Sequence, residues 1–265
     1  MIDPTAETLL LLALAGFLAG IVDSIAGGGG LITVPALLLA GLGPVEALGT
    51  NKAQALFGSG TATIAYARGG HVAPRRQLPA AALSFAGSGV GALLASVAPT
   101  NFLEALLPLL LIAIAVYFAV KPRVGDVDRA ERIRPALFVA TVPLAIGFYD
   151  GIFGPGTGSF FMLAYVGLAG YGVLKATAHT KLLNYASNVG AFLVFAAVGA
   201  VSWEIGVVMG VAQLAGAAIG STLAMRIGSR LIKPLLIVVS IALAVRLLAD
   251  PANPVRQWLG GLSGI

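Results

Sequence analysis

Apolar residues run along this chain in long blocks, and polar ones gather in the short stretches between them. The blocks 45–67, 78–97, 102–120, 173–198 and 205–225 approach or exceed the roughly 20 residues that carry an α-helix across a hydrocarbon core, and 231–248 adds another. Two further blocks, 9–42 and 135–169, are interrupted by Gly27-Gly28-Gly29-Gly30 and by Gly154-Pro155-Gly156-Thr157-Gly158. Their arms read as only about 12–15 residues each, short of a full span, which predicts glycine-tipped re-entrant hairpins. Apolar and polar positions do not alternate strongly, which argues against a β-barrel. The predicted fold is an all-α polytopic membrane protein.

The pattern repeats. Gly20, Asp23, Ile25 and Gly27 align with Gly147, Asp150, Ile152 and Gly154 at a constant offset of 127 positions. At an offset of 129, Lys52 meets Lys181, Gly87 meets Gly216, Gly91 meets Gly220 and Leu94 meets Leu223. This predicts a first repeat over 1–120 (hairpin 9–42, helices 45–67, 78–97 and 102–120) and a second over 135–265 (hairpin 135–169, helices 173–198, 205–225 and 231–248). The charged stretch 121–134 would link them.

Composition narrows the class. Hydrophobic residues make up 58% of the 265 positions and charged ones 10%, against about 25% charged in soluble domains. The chain has no cysteine, so disulfides and thiolate chemistry are excluded. The opening residues carry Asp3 and Glu7 but no base, so the first apolar segment is expected to remain in the mature protein. The net charge of +5 comes from short loops, which points to topology and not to nucleic acid. Basic residues cluster in 68–76, 121–134 and 226–233, which the positive-inside rule assigns to the cytoplasm. Both termini are then external. Each half crosses an odd number of times, so the halves form an inverted-topology repeat of the kind secondary transporters use.

Candidate chemistry follows from depth. Irregular backbone within a bilayer is tolerated only where it is buried in protein or lines a cavity. The tips Gly27, Gly28, Gly29, Gly30 and Gly154, Gly156, Thr157, Gly158 therefore predict a site, and the helix N-termini that follow them suit an anion. Lys52 and Lys181 are intramembrane charges and candidates for contact with it, the alternative being snorkelling to the headgroups. Asn51 and Gln54 beside the first lysine, and Thr180, Asn184 and Asn188 beside the second, are able to hydrogen-bond an oxyanion, or to join helices. Asp23 and Asp150 stand four residues before their tips, where they suit a structural or proton-linked role rather than contact with an anion, and His179 is taken with them. No His-Glu-x-x-His, Gly-x-Ser-x-Gly or clustered metal ligands occur, so neither an enzyme nor a cofactor or metal is expected.

The glycine run 27–30, the segments Gly49-Thr50-Asn51-Lys52 and Gln54-Ala55-Leu56-Phe57-Gly58-Ser59-Gly60, and their counterparts Thr180-Lys181-Leu182-Leu183-Asn184 and Ala186-Ser187-Asn188 resemble the TauE/SafE family of sulfite exporters. The resemblance covers nearly the whole chain. It implies a carrier of small sulfur-containing anions such as sulfite or sulfoacetate in the bacterial inner membrane, with proton linkage and a homodimer as open alternatives. An anion channel on the same architecture is the rival reading. Pro155 stands where the first tip has Gly28 and removes one N–H from the second tip.

Overall fold

Residues 4–98 and 127–228 are described by a computed structural model. The expected helices 102–120 and 231–248, and linker residues 121–126, lie outside the described residues. Among the described residues the chain is all-helical: α1 (Ala6–Ala26), α2 (Gly30–Leu39), α3 (Pro44–Arg68), α4 (Pro74–Val97), α5 (Pro135–Ile152), α6 (Thr157–Gly167), α7 (Val173–Ala197) and α8 (Trp203–Ile227).

Local chemistry sets the ends. The Thr5 hydroxyl accepts the Thr8 N–H at 3.2 Å and caps α1. Proline at the start of α3, α4 and α5 supplies a preset φ where the N–H would be orphaned anyway. Among the described residues four helices, α1, α4, α5 and α8, are long and apolar enough to cross a membrane. At 25 residues each, α3 and α7 are as long but less apolar, because they carry buried polar side chains. Exposure is inverted relative to a water-soluble protein: Leu10 is 71% exposed whereas Lys52 is 1% exposed.

One expectation is corrected. The first arms of the two glycine-interrupted regions are not short: α1 has 21 residues and α5 has 18, while α2 and α6 have 10 and 11. No proline interrupts 6–26 and its two glycines, Gly16 and Gly20, stand apart, so α1 continues until the run 27–30 stops it.

Small residues set the packing. α1 lies against α8 so closely that a Cβ on Gly20 would sit 2.3 Å from the Gln213 carbonyl oxygen, and one on Gly216 would sit 2.0 Å from that of Phe17. α4 meets α5 in the same manner at Gly87, Gly91, Gly147 and Gly151. Contacts advance in the same direction along α1 and α8, along α3 and α8 (Thr50 to Ser202, Phe57 to Gly210) and along α4 and α5 (Ser84 to Gly147, Ser88 to Gly151). They run oppositely along α3 and α7, where Gly49 meets Phe195 and Gly60 meets Tyr185.

The ends of α2 and α6 turn back. Leu37 and Leu42 share an apolar cluster with Leu12 near the start of α1. Tyr165 in α6 packs on Phe138 near the start of α5, their ring centroids 4.8 Å apart.

Residues 128–132 strap onto the turn before α7. Asp128 accepts hydrogen bonds from Lys175 Nζ and the Gly172 N–H, both at 2.7 Å, and the Arg132 N–H reaches the Leu168 carbonyl at 2.9 Å. The Lys175 hydrogen bond, then that from Gly172, holds the Asp128 carboxyl below its usual range. A carboxyl depressed in the folded state stabilises above its unfolded value, near 3.9, and loses that contribution as pH falls through the lower folded value. Because the pair is half-exposed and screened, Asp128→Asn should cost less than about 1 kcal/mol. Melting curves should separate the variant from the parent at neutral pH and converge in strong acid.

Candidate functional site

The two glycine tips meet inside the bundle. Gly27 lies on Gly158 with no room for a side chain between them, and the Ser159 hydroxyl donates to the Ala26 carbonyl at 2.9 Å and also to that of Gly27. Around this contact stand four buried ionisable side chains, paired across the halves. Lys52 Nζ of α3 is 2.7 Å from Asp150 Oδ1 of α5, and Lys181 Nζ of α7 is 3.4 Å from Asp23 Oδ2 of α1. Lys181 Nζ also donates to the Asp23 carbonyl oxygen. The ammonium groups therefore point inward to carboxylates; both lysines are essentially inaccessible, so snorkelling does not describe them.

The pairs differ in their second contacts. Asp23 Oδ1 accepts the N–H groups of Gly28 at 3.1 Å and Gly29 at 3.4 Å, so both carboxylate oxygens are held. Asp150 Oδ2 is buried with no hydrogen-bond partner among the described residues. The tips differ as well. In the first, the N–H groups of Leu31 and Ile32 return to the carbonyls of Gly28 and Gly29, which with Asp23 uses up most of the donors. In the second, the N–H groups of Gly156 and Gly158 have no acceptor among the described residues. Gly154 sits so near Lys52 that a Cβ there would lie 2.8 Å from Nζ.

A polar cavity of about 20 Å³ lies between the tips, room for about one water. It is lined by Asp23, Gly28, Gly30, Asn51, Lys52, Gln54, Asp150, Gly154, Gly156, Thr157, Gly158, Asn184 and Asn188, together with Ala55 and Gln213, which sequence reasoning did not single out. Asn51 Oδ1 accepts from Thr33 Oγ1 at 2.5 Å and from Gln54 Nε2 at 3.0 Å, tying α3 to the start of α2. Asn188 Oδ1 is 3.4 Å from Lys52 Nζ, and its amide nitrogen reaches Ser59 Oγ at 3.4 Å. Gly27 and Gly29 shape the first tip without lining the cavity, Lys181 stands behind it, and Thr180 is buried nearby with no hydrogen-bond partner for its hydroxyl among the described residues.

His179 lies elsewhere. Its Nδ1 is 2.9 Å from the Lys175 carbonyl oxygen, and its ring packs edge-on against Tyr165 and Tyr171. It lines a second cavity of about 460 Å³ between the α3–α4 turn, residues 131–139 and the start of α7, where His71, Arg76 and Lys175 are also found. At the opposite end of the bundle, Leu12, Leu37, Leu42, Ala47, Ile205 and Met209 fill the space between the helices.

A profile described as "Sulfite exporter TauE/SafE" matches residues 12–247. The chain is 60% identical to "Probable membrane transporter protein ORF9" of a Sinorhizobium species, with 98% of this chain and 100% of that protein covered. It is 45% identical to "Probable membrane transporter protein YfcA" of Escherichia coli, covering 94% and 93% of the two chains. A "Probable membrane transporter protein" of Haemophilus influenzae is 40% identical over 94% of this chain and 97% of its own length. No solved structure matches.

Proposed function

We propose that this chain, which belongs to the sulfite exporter TauE/SafE family and is a membrane transporter, not an enzyme, carries small sulfur oxyanions such as sulfite or sulfoacetate by alternating access. The observation that carries the reading is the convergence of Lys52, two aspartates and two glycine tips on one buried polar cavity, with Lys181 paired to Asp23 behind it, in a protein whose outer surface is apolar. Burying charge at this depth is costly unless it is paired. A site that holds a buried cation against a carboxylate is suited to exchanging that carboxylate for an anion. Nitrogen donors from the second tip, Asn184 and Asn188 complete the set an oxyanion needs.

The transport cycle rests on two inverted repeats with re-entrant hairpins. The opposed directions of α3 and α7 support that arrangement, as does the return of α2 and α6 toward the starts of α1 and α5. The basic end of the bundle, where Gly69 packs on Met225 and Arg76 and Lys175 line the larger cavity, is the cytoplasmic end of an inner-membrane protein. A vestibule at that end and a filled apolar seal at the other correspond to a carrier closed to the outside. In a channel, the small central cavity would have to open into a continuous path.

Counterflow decides between them. Labelled sulfite should exchange across proteoliposomes against unlabelled sulfite or sulfoacetate and not against acetate. Saturable exchange establishes the carrier; leak without trans-stimulation would establish a channel, and no flux would overturn the substrate class.

A further inference from the structure

The geometry points to a division of labour between the two ion pairs: Lys52–Asp150 is the site where one proton and one anion bind together, while Lys181–Asp23 is a fixed pin for the first tip. The inference rests on the transport reading above and deepens it.

Lys52 and Asp150 together carry no net charge. An anion that takes the Lys52 ammonium displaces the carboxylate and leaves it buried without a cation, a state that costs several kcal/mol. A proton arriving from water with the anion, and bonding to Asp150, removes that cost. The ammonium keeps its charge throughout, and the site is neutral before and after a monoanion binds. The atom able to receive the proton is Asp150 Oδ2, which is buried and unpartnered among the described residues. Asp23 has no such oxygen, since Oδ1 holds two tip N–H groups and Oδ2 faces Lys181.

The surroundings agree. α3 presents Lys52 to Asp150, and α1 adds the Asp23 charge, which acts on Lys52 through space. α7 contributes neutral Asn188 on this side and keeps Lys181 on Asp23. α4 packs against the Asp150 turn through Ser88 and Gly91, both uncharged. The neighbouring Tyr149 hydroxyl is engaged by the Pro155 carbonyl at 2.7 Å. Lys52 meets the second tip at Gly154, and the N–H groups of Gly156 and Gly158 in that tip have no acceptor among the described residues.

Sulfite binding to the purified protein should be followed by calorimetry in buffers of different ionisation enthalpy. The wild type should take up about one proton per anion more than Asp150→Asn does. Asp150→Glu should restore the extra proton. Independently of any variant, sulfite should raise a carboxylic acid C=O band in the infrared difference spectrum of the wild type. Equal proton uptake in wild type and Asp150→Asn, or sulfite binding without that band, overturns the inference and leaves the transport reading standing. A wild type that binds no sulfite overturns the transport reading itself.

Discussion

Lys52→Met should abolish sulfite counterflow and lower stability by about 3–5 kcal/mol, the usual cost of removing one partner from a buried ion pair. The cause is the carboxylate left behind: Asp150 is 1% exposed, and its cation at 2.7 Å would be gone. Adding Asp150→Leu to Lys52→Met should therefore recover most of the lost stability, because apolar replacements of a whole buried pair are often tolerated. Transport should not return, since the double variant has lost both the cation and the proton acceptor. Lys181→Met should be milder in stability, because Asp23 would still accept the Gly28 and Gly29 N–H groups. Denaturant unfolding in detergent and counterflow in proteoliposomes measure the two effects separately. Wild-type flux in Lys52→Met would sink the assignment of this lysine, and strict additivity in the double variant would show that the two side chains do not interact.

The prominence of Lys52 and Lys181 in the sequence has a simple cause: a lysine deep in an apolar span is rare because burying it is expensive. Its partner is harder to see. The internal repeat relates Lys52 to Lys181 and Asp23 to Asp150, but nothing along the chain says that each lysine pairs with the aspartate of the other half. That follows only from the packing of α1 on α8 and α4 on α5, which is set by glycine contacts between helices. Gln213 was missed for a related reason. Its counterpart at the offset of 129 is Ser84, so the repeat carries no signal there, although a glutamine inside the apolar α8 is itself unusual. His179 was grouped with the site because it is two residues from Lys181, yet two positions on a helix are about 200° apart. It therefore turns toward Tyr165 and Tyr171 while Lys181 turns toward Asp23. The all-helical, membrane-embedded class was legible because it needs only hydropathy and glycine; the ion-pair partners were not, because they depend on which helices touch.

Gly27→Ala tests that touching directly, and its effect should rival the loss of Lys52. Gly27 adopts φ 70° and ψ 119°, a conformation that L side chains rarely take and that costs on the order of 1–3 kcal/mol. A methyl there would also lie 2.4 Å from the Gly158 carbonyl carbon and 2.6 Å from the Ser159 nitrogen. Both are backbone atoms at the second tip, so no flexible side chain can yield, and overpacking of this kind costs a further 1–3 kcal/mol or so. The two tips would be pushed apart, taking with them the Ser159 hydrogen bonds to the first tip and the spacing of the Lys52 and Lys181 pairs. Gly43→Ala is the matched control: its φ is −64° and a Cβ there meets nothing within 4 Å, so it should change stability by less than about 0.5 kcal/mol. The expected result is a large drop in melting temperature and loss of counterflow for Gly27→Ala, with neither for Gly43→Ala. Normal melting together with lost counterflow would instead mean that the tips can separate without unfolding, so that their contact belongs to one state of the transport cycle and the methyl group blocks the return to it.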